Sequence, residues 1–180
     1  MRKKMHGGVE MKQNLMILGA GVYGAVAREI AESTGLFGEI AFVDDRATHA
    51  FDGAPVEGTS RDLVALAVRY PNAVVAIGNS EVRLSLIERL TGAGVRVVSL
   101  VSPLAYVSPS ATLGAGCVIE PMAVVHAGCE LGTGCLVSAG AVVNHASVCG
   151  DGVHVDCNAT VAGGARVPRG TKIASNTCFS

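Results

Sequence analysis

A glycine-rich turn near the start of the chain has the residue types and spacing of a phosphate-binding loop. The apolar run 14–18 leads into the pattern G-x-G-x-x-G at residues 19–24, and a helical stretch follows to Ser33. Such glycines let the backbone approach a phosphate, and the helix start offers free N–H groups. Asp44 and Asp45 follow a second strand about 20 residues later, where a carboxylate reaches a ribose hydroxyl. The pattern predicts a nucleotide site, with a ligand-free tight turn as the alternative.

A third polar segment follows the predicted strand 73–77. Gly78 and Asn79 come directly after it, at the edge where ligands lie in open α/β sheets. We expect them to hold a base or ribose and Arg83 to hold a phosphate; the alternative is a turn with a surface arginine. Residues 14–103 suffice for one mononucleotide-binding half of a Rossmann fold, so a nucleotide sugar fits better than a dinucleotide.

His145 is the residue best suited to accept a proton. Histidine titrates near neutral pH, and an amine or hydroxyl that attacks a thioester must lose a proton. Val143 holds the inward position of this repeat, so the His145 ring can face a groove. Gly163 follows 18 residues later, about one 4.8 Å strand spacing away, where its N–H can stabilise an oxyanion. A surface histidine on a solenoid edge is the alternative.

Two different patterns predict the elements that position these residues. Strands at 14–18, 40–43, 73–77 and 95–100 alternate with helices ending at Ser33 and near 62–69 and 81–90, which is typical of a small parallel sheet. From Val107 onward, an aliphatic residue or cysteine occupies every sixth position, which indicates a solenoid of stacked units. These positions are Val107, Leu113, Ile119, Val125, Leu131, Val137, Val143, Cys149, Val155, Val161, Val167 and Ile173.

Composition excludes several classes of protein. The 180 residues are 49% hydrophobic with 23 glycines and a net charge of −1, and no basic cluster is interleaved with aromatic residues. Nucleic acid is therefore not an expected partner. No apolar run has the roughly 18–20 residues of a membrane helix, so we expect no membrane insertion and a cytoplasmic location. The six cysteines form no C-x-x-C pair, and we expect reduced thiols.

The order of these segments resembles a known family. Leu15-Met-Ile-Leu-Gly-Ala-Gly, Phe42-Val-Asp-Asp, Ala76-Ile-Gly-Asn and Val101-Ser-Pro precede hexads that contain Val143-Asn-His and Ala162-Gly-Gly. From about residue 14 onward the chain is similar to the sialic acid O-acetyltransferase and UDP-bacillosamine N-acetyltransferase family. The resemblance implies an N-terminal extension (1–13), a Rossmann-like nucleotide-sugar domain (14–103) and a left-handed parallel β-helix (104–180). It also implies a homotrimer that uses acetyl-CoA and needs no metal.

The resemblance also implies roles for particular residues. His145 matches the general base, and Gly163 matches the glycine that stabilises the oxyanion. His154 matches a histidine near the acyl donor, whereas His126 matches no residue of known role, so a structural or interface role is expected. The predicted acetyl-CoA group is His154, Gly163 and Gly164. The predicted substrate group is Gly19, Gly21, Gly24, Asp44, Asp45, Arg46, Ile77, Gly78 and Asn79.

The chain departs from the family pattern in two places. The family commonly follows its histidine with Asp or Glu, which orients the ring, whereas Ala146 stands here; Asp151 or Asp156 could replace that acid. The sequence reaches Ser180 after about four coils, where relatives continue through further hexads that contact CoA.

These observations leave several functions open. The leading prediction is acetyl transfer from acetyl-CoA to the amine of a UDP-linked amino sugar, and a close variant is O-acetylation of a sialic-acid-type sugar. A non-catalytic nucleotide-sugar-binding relative is favoured by Ala146 and the short helix. A zinc enzyme on the same fold is the weakest alternative, since His145 and His154 lie nine residues apart rather than five.

Overall fold

The computed structural model describes residues 12–50 and 53–180. Most of the predicted extension 1–13 lies outside the described residues. The first part of the chain is a small α/β domain. Its elements are β1 (Leu15–Leu18), α1 (Val22–Thr34), β2 (Ile40–Val43), β3 (Val56–Gly58), α2 (Leu63–Leu66), β4 (Asn72–Val75), α3 (Ser80–Gly92) and β5 (Arg96–Val97).

The five strands form one parallel sheet in the order β3-β2-β1-β4-β5. β1 is buried on both faces, as a continuous apolar run in a central parallel strand predicts. Leu15 and Ile17 pack with α1 on one side, and Met16 and Leu18 pack with α3 on the other. β1 and β4 run side by side at the centre, so their carboxyl ends form the edge where a ligand is expected.

Three details of the predicted sheet are wrong. The edge strand β3 was not predicted, and the helix expected near 62–69 is the short α2. The expected strand 95–100 is two strands, β5 and β6 (Leu100–Val101), which belong to different sheets. The Ser99 hydroxyl donates to the Gly114 carbonyl (2.8 Å) and accepts from the Cys117 N–H (3.0 Å). These bonds turn the chain from one sheet into the next.

The rest of the chain is a left-handed parallel β-helix of two-residue strands. Strands β6 to β19 build three sheets: the first face (β6, β9, β12, β15, β18), the second face (β7, β10, β13, β16, β19) and the third face (β8, β11, β14, β17). The later strands are Tyr106–Val107, Thr112–Leu113, Val118–Ile119, Val124–Val125, Glu130–Leu131, Leu136–Val137, Val142–Val143, Val148–Cys149, His154–Val155, Thr160–Val161, Arg166–Val167, Lys172–Ile173 and Cys178–Phe179.

Successive coils pair in a register of 18 residues. Val125 pairs with Val143, and Val143 pairs with Val161. The inward residues of all three faces form one apolar cluster from Cys117 to Ile173, which confirms the predicted core. Strand pairing of the β-helix begins at Leu100, and the predicted domain boundary at 103/104 stays a prediction.

Each turn of the β-helix has one residue with a left-handed backbone. Most of these corner residues are glycine, because φ of 54–73° is costly for a residue with a Cβ. The corner residues are Gly116, Met122, Gly128, Gly134, Gly140, Ala146, Gly152, Asn158, Gly164, Gly170 and Asn176. One such residue therefore recurs every six positions.

The two domains meet along a surface that we call the seam. The outward side chains of Leu100, Val118 and Leu136, on the first face, join the apolar cluster of α1. α3 packs on the corners between the third and first faces, where an added Cβ would lie 2.8 Å from Ile87 at Gly134 and 2.9 Å from Leu84 at Gly152. Glycine at these corners thus admits the side chains of α3.

Candidate active site

The ring of His145 lies directly against Gly163 of the next coil. His145 is exposed in the turn between β13 and β14, at the edge between the second and third faces. A methyl group at position 163 would lie 2.7 Å from the ring Cε1, 2.9 Å from Nε2 and 3.3 Å from Nδ1. The absence of a side chain at Gly163 is what makes room for the ring.

The backbone N–H groups of these two turns differ in their partners. Asn144 Oδ1 accepts from the His145 N–H at 2.8 Å and lies 3.0 Å from His126 Nδ1. Ala162, the equivalent of Asn144 one coil later, has no side-chain acceptor. Within the described residues the Gly163 N–H makes no hydrogen bond, so it is available to a ligand oxygen.

No side chain of the described protomer orients the His145 ring. Ala146 is an exposed corner residue with φ of 54°. Asp151 accepts from the Thr133 N–H at 2.7 Å, and Asp156 pairs with Lys172 at 3.0 Å. The expectation that either acid replaces the missing one is therefore not met within one chain, because each carboxylate has a different partner.

His154 lies apart from His145, on the first face beside the seam. Its side chain is 12% exposed, its Nε2 lies 3.1 Å from Ser138 Oγ, and its Nδ1 is buried without a partner. Burial lowers the pKa of His154 to about 4, against the opposing effect of Asp156. Its imidazole is therefore neutral at pH 7. An added side chain at Gly164, by contrast, would meet open space.

A cavity of about 670 Å³ opens at the carboxyl edge of the α/β sheet. Five residues predicted to bind the substrate line it: Gly19, Asp44, Asp45, Arg46 and Ile77. Its volume lies in the range of small-ligand sites. Gly21, Gly24, Gly78 and Asn79 do not line it.

The three glycines of the G-x-G-x-x-G turn have different reasons to be glycine. A Cβ at Gly24 would lie 2.0 Å from the Gly19 carbonyl oxygen, and one at Gly19 would lie 2.7 Å from that of Ala76. These two glycines permit close backbone packing. Gly21 has nothing within 4 Å and is the one that leaves space for a ligand.

The two predicted ribose ligands are held by the protein itself. Burial alone would raise the pKa of Asp44, but three backbone N–H groups that donate to its carboxylate lower it overall. They belong to Ala20 (2.9 Å), Arg46 (2.8 Å) and Ala47 (2.9 Å). Asp45 accepts from the Ser60 N–H at 2.7 Å and from its hydroxyl at 3.0 Å. These bonds fix both carboxylates at the cavity wall.

The segment after β4 differs most from its prediction. Asn79 caps α3 by accepting from the Val82 N–H at 3.0 Å. Arg83 is completely buried and donates to backbone carbonyls, two of which belong to Ile77 and Gly78. Both the phosphate ligand and the surface arginine expected for Arg83 are therefore wrong, since the seam covers it.

Sequence reasoning missed the α3 side of the cavity. Glu81, Ser85 and Arg89 line it together with Ser60. The first three are spaced four residues apart on a helix, which places them on one face. That spacing is the signal that could have found them.

His145 and the nucleotide cavity lie on different sides of a single chain. The seam covers the first face and the edge between the third and first faces. His145 occupies the edge between the second and third faces, opposite the first face. Within residues 12–50 and 53–180, no three His, Cys, Asp or Glu side chains gather in a way that could hold a metal. No helix in these ranges is long and apolar enough to span a bilayer.

Family models match both parts of the chain. Residues 14–90 match the PglD N-terminal domain, and residues 110–145 match the bacterial transferase hexapeptide (six repeats). An α/β domain followed by a left-handed β-helix with an exposed histidine turn thus defines a hexapeptide-repeat protein of the bacterial transferase class.

Individual relatives narrow this class to a family. UDP-N-acetylbacillosamine N-acetyltransferase of Bacillus subtilis is 32% identical over 111 residues, which cover 59% of this chain and 51% of that protein. The matched part thus spans about half the length of this curated relative. The acetyltransferase domain of PglB from Neisseria gonorrhoeae, solved with acetyl coenzyme A, is 35% identical with a TM-score of 0.89, covering 93% of this chain and 82% of that one.

A more distant structure has the same architecture. A mutant of perosamine N-acetyltransferase from Caulobacter crescentus, solved with CoA and GDP-perosamine, is 25% identical with a TM-score of 0.63, covering 92% of this chain and 90% of that one. The chain belongs to the hexapeptide-repeat family that includes UDP-N-acetylbacillosamine N-acetyltransferase.

Proposed function

We propose that the protein transfers an acetyl group from acetyl-CoA to the amine of a nucleotide-linked amino sugar, with His145 as the general base. The observation that carries this proposal is the ring of His145 stacked on Gly163, whose N–H has no partner in the described residues. A proton acceptor and a free N–H in adjacent coils are the two groups that acyl transfer to an amine requires. The N-acetyltransferase relatives support the same reaction.

The proposed chemistry divides between the two turns. Acetyl-CoA supplies the acetyl group as an activated thioester. His145 accepts the proton that the sugar amine loses as its nitrogen bonds to the acetyl carbon. The Gly163 N–H donates to the carbonyl oxygen as negative charge develops there. Open space beside Gly164 is consistent with a ligand at this turn, and a contact between His154 and acetyl-CoA remains part of the proposal.

The proposed place of the nucleotide is the cavity of about 670 Å³. Asp44 and Asp45 lie on its wall with their carboxylates fixed, and Arg46 and Arg89 are the cations there. A nucleoside diphosphate presents ribose hydroxyls for the acids and phosphates for the arginines. We favour a UDP-linked sugar, as in the curated relative.

The proposed active form is a homotrimer. His145 and the cavity occupy different sides of one chain, so a second copy must supply one of them if both act on the same sugar. An apolar column on the outer second face supports such contact: Tyr106, Val124 and Val142 lie on consecutive rungs, with Tyr106 56% exposed. A monomer shown by light scattering to be fully active would contradict this assembly.

The proposed location is the cytoplasm. Both substrates are cytoplasmic metabolites, and reduced thiols match that compartment. All six cysteines are free, four of them buried. Labelling of intact cells with a membrane-impermeant reagent, compared with labelling of lysed cells, would test this location.

The decisive experiment measures acetyl transfer by mass spectrometry. The substrates are acetyl-CoA and a UDP-4-amino-4,6-dideoxy sugar, and the proteins are the wild type, His145→Ala and the control His49→Ala, whose histidine is exposed in the α/β domain. We expect turnover by the wild type and the control, and its loss in His145→Ala. Acetylation of a hydroxyl would favour the O-acetyltransferase variant. UDP-sugar binding without turnover would favour a non-catalytic relative.

A further inference from the structure

Arg83 is a buried cation that spans the two domains. None of its surface is exposed. Its Nε donates to the Gly134 carbonyl at 2.7 Å, and Nη2 donates to the Gly152 carbonyl at 2.8 Å. Its Nη1 donates to the carbonyls of Ile77 at 2.6 Å and Gly78 at 3.0 Å. One guanidinium thus joins two coils of the β-helix to the segment that follows β4.

These acceptors are all neutral carbonyl groups. No carboxylate pairs with Arg83 among the residues that the structure describes. A buried charge without a counter-ion is costly unless hydrogen bonds compensate it. A planar guanidinium can direct donors at acceptors on two sides, whereas a lysine ammonium cannot reach them together. The site therefore requires arginine for its geometry.

The segment that Arg83 holds is the rim of the nucleotide cavity. β4 ends at Val75, and the last sheet hydrogen bond beyond it joins the Ala76 N–H to Leu18. Ile77 lines the cavity, and its carbonyl is held by Arg83. On the solenoid side, Gly152 lies two residues before His154 on the same rung.

We infer that Arg83 is a positioning residue that fixes the rim of the nucleotide cavity at Ile77–Gly78 relative to the β-helix. The inference rests on the proposed function in one respect, since it takes the cavity to be the nucleotide site. Without the guanidinium, four carbonyls lose their donor and the rim is free to shift. The nucleotide should then bind a less organised site.

The test is nucleotide affinity with chemical rescue. Isothermal titration of UDP, and of GDP in parallel, is run on the full chain, on Arg83→Ala and on the control Arg69→Ala. Arg69 is an exposed arginine that pairs with Glu39 and Glu57, away from the seam. We expect Arg83→Ala to bind about tenfold more weakly. Millimolar guanidinium should restore its affinity by filling the vacated site, while Arg69→Ala binds like the wild type with or without guanidinium.

Different outcomes separate this inference from the proposed function. A wild type that binds neither nucleotide contradicts the nucleotide site itself. Wild-type affinity in folded Arg83→Ala, or weak affinity that guanidinium does not restore, overturns the positioning role. If Arg83→Ala does not fold, Arg83→Lys is titrated instead with the same expectation of weaker binding. Hydrogen exchange on the wild type adds an independent readout: bound UDP should slow the amides of Gly134 and Gly152, and unchanged exchange there would count against the inference.

Discussion

Replacing Gly163 with alanine tests the stacking of the His145 ring. The new methyl group would lie 2.7 Å from Cε1, whereas carbon atoms in ordinary contact are about 3.5–4.0 Å apart, so the ring must move by about 1 Å. His145 is exposed and can rotate away, so the free energy of unfolding should change by less than about 1 kcal/mol. A displacement of about 1 Å costs roughly 100-fold in rate, or about 2.7 kcal/mol in the barrier.

The assay compares acetyl-transfer rates and urea unfolding for Gly163→Ala and a matched neighbour. Gly163 lies outside the left-handed region, so alanine adds no backbone strain there. The control is Gly164→Asn, at a corner with φ of 73° and open space around it. Asparagine already occupies two such corners, at Asn158 and Asn176. The control should keep the wild-type rate. A folded Gly163→Ala protein that also kept it would refute a role for the stacked ring.

Three further predictions concern pH, ring orientation and the seam. Burial lowers the pKa of His154 to about 4, below its unfolded value of about 6.5, so the unfolded chain takes up the proton first. The free energy of unfolding should therefore fall by about 2 kcal/mol from pH 7 to pH 5; urea unfolding of His154→Leu should lose this fall, and its persistence would assign it to other groups. Ala146→Asp should raise kcat by about tenfold, a small part of what an orienting carboxylate contributes in a catalytic triad, whereas Ala146→Asn, which also tolerates the left-handed backbone, should not; equal rates would show that orientation is not limiting. Leu136→Ala should lower the free energy of unfolding by about 3 kcal/mol, because its side chain is fully buried in the seam, while the exposed Leu104→Ala should change it by less than about 0.5 kcal/mol; similar small losses in both would mean that the seam adds little stability.

The sequence predicts the β-helix well because one rule governs every rung. A residue that recurs every sixth position must face the same way in each turn, so the inward residues follow from the repeat alone. The same rule places His145 and Gly163 in adjacent coils, since 18 residues separate them. The helix and sheet pattern of the first domain was predictable from apolar periodicity, whereas β3, with only Val56 as an apolar residue, has no such signal.

Residues at the seam were not predictable, because their surroundings depend on how the two domains meet. Arg83 has the charge of a surface or ligand-binding residue, and only the packing of α3 on the β-helix buries it. His154 and Leu136 occupy equivalent outward positions one coil apart. The partial burial of His154 follows from how far along the first face the other domain extends, which no local pattern records.

The stacked columns of the β-helix restrict how its length can change. An insertion of 18 residues adds one whole coil and leaves each later residue on its original face. An insertion of six between Gly134 and Ala146 would rotate every later rung by one face. Ala146 would then replace Gly152 beneath Leu84, where even a methyl group has only 2.9 Å of room, and His145 would move to the edge that α3 covers. Insertions and deletions in this domain are therefore expected in whole coils, much as coding sequence tolerates changes of whole codons.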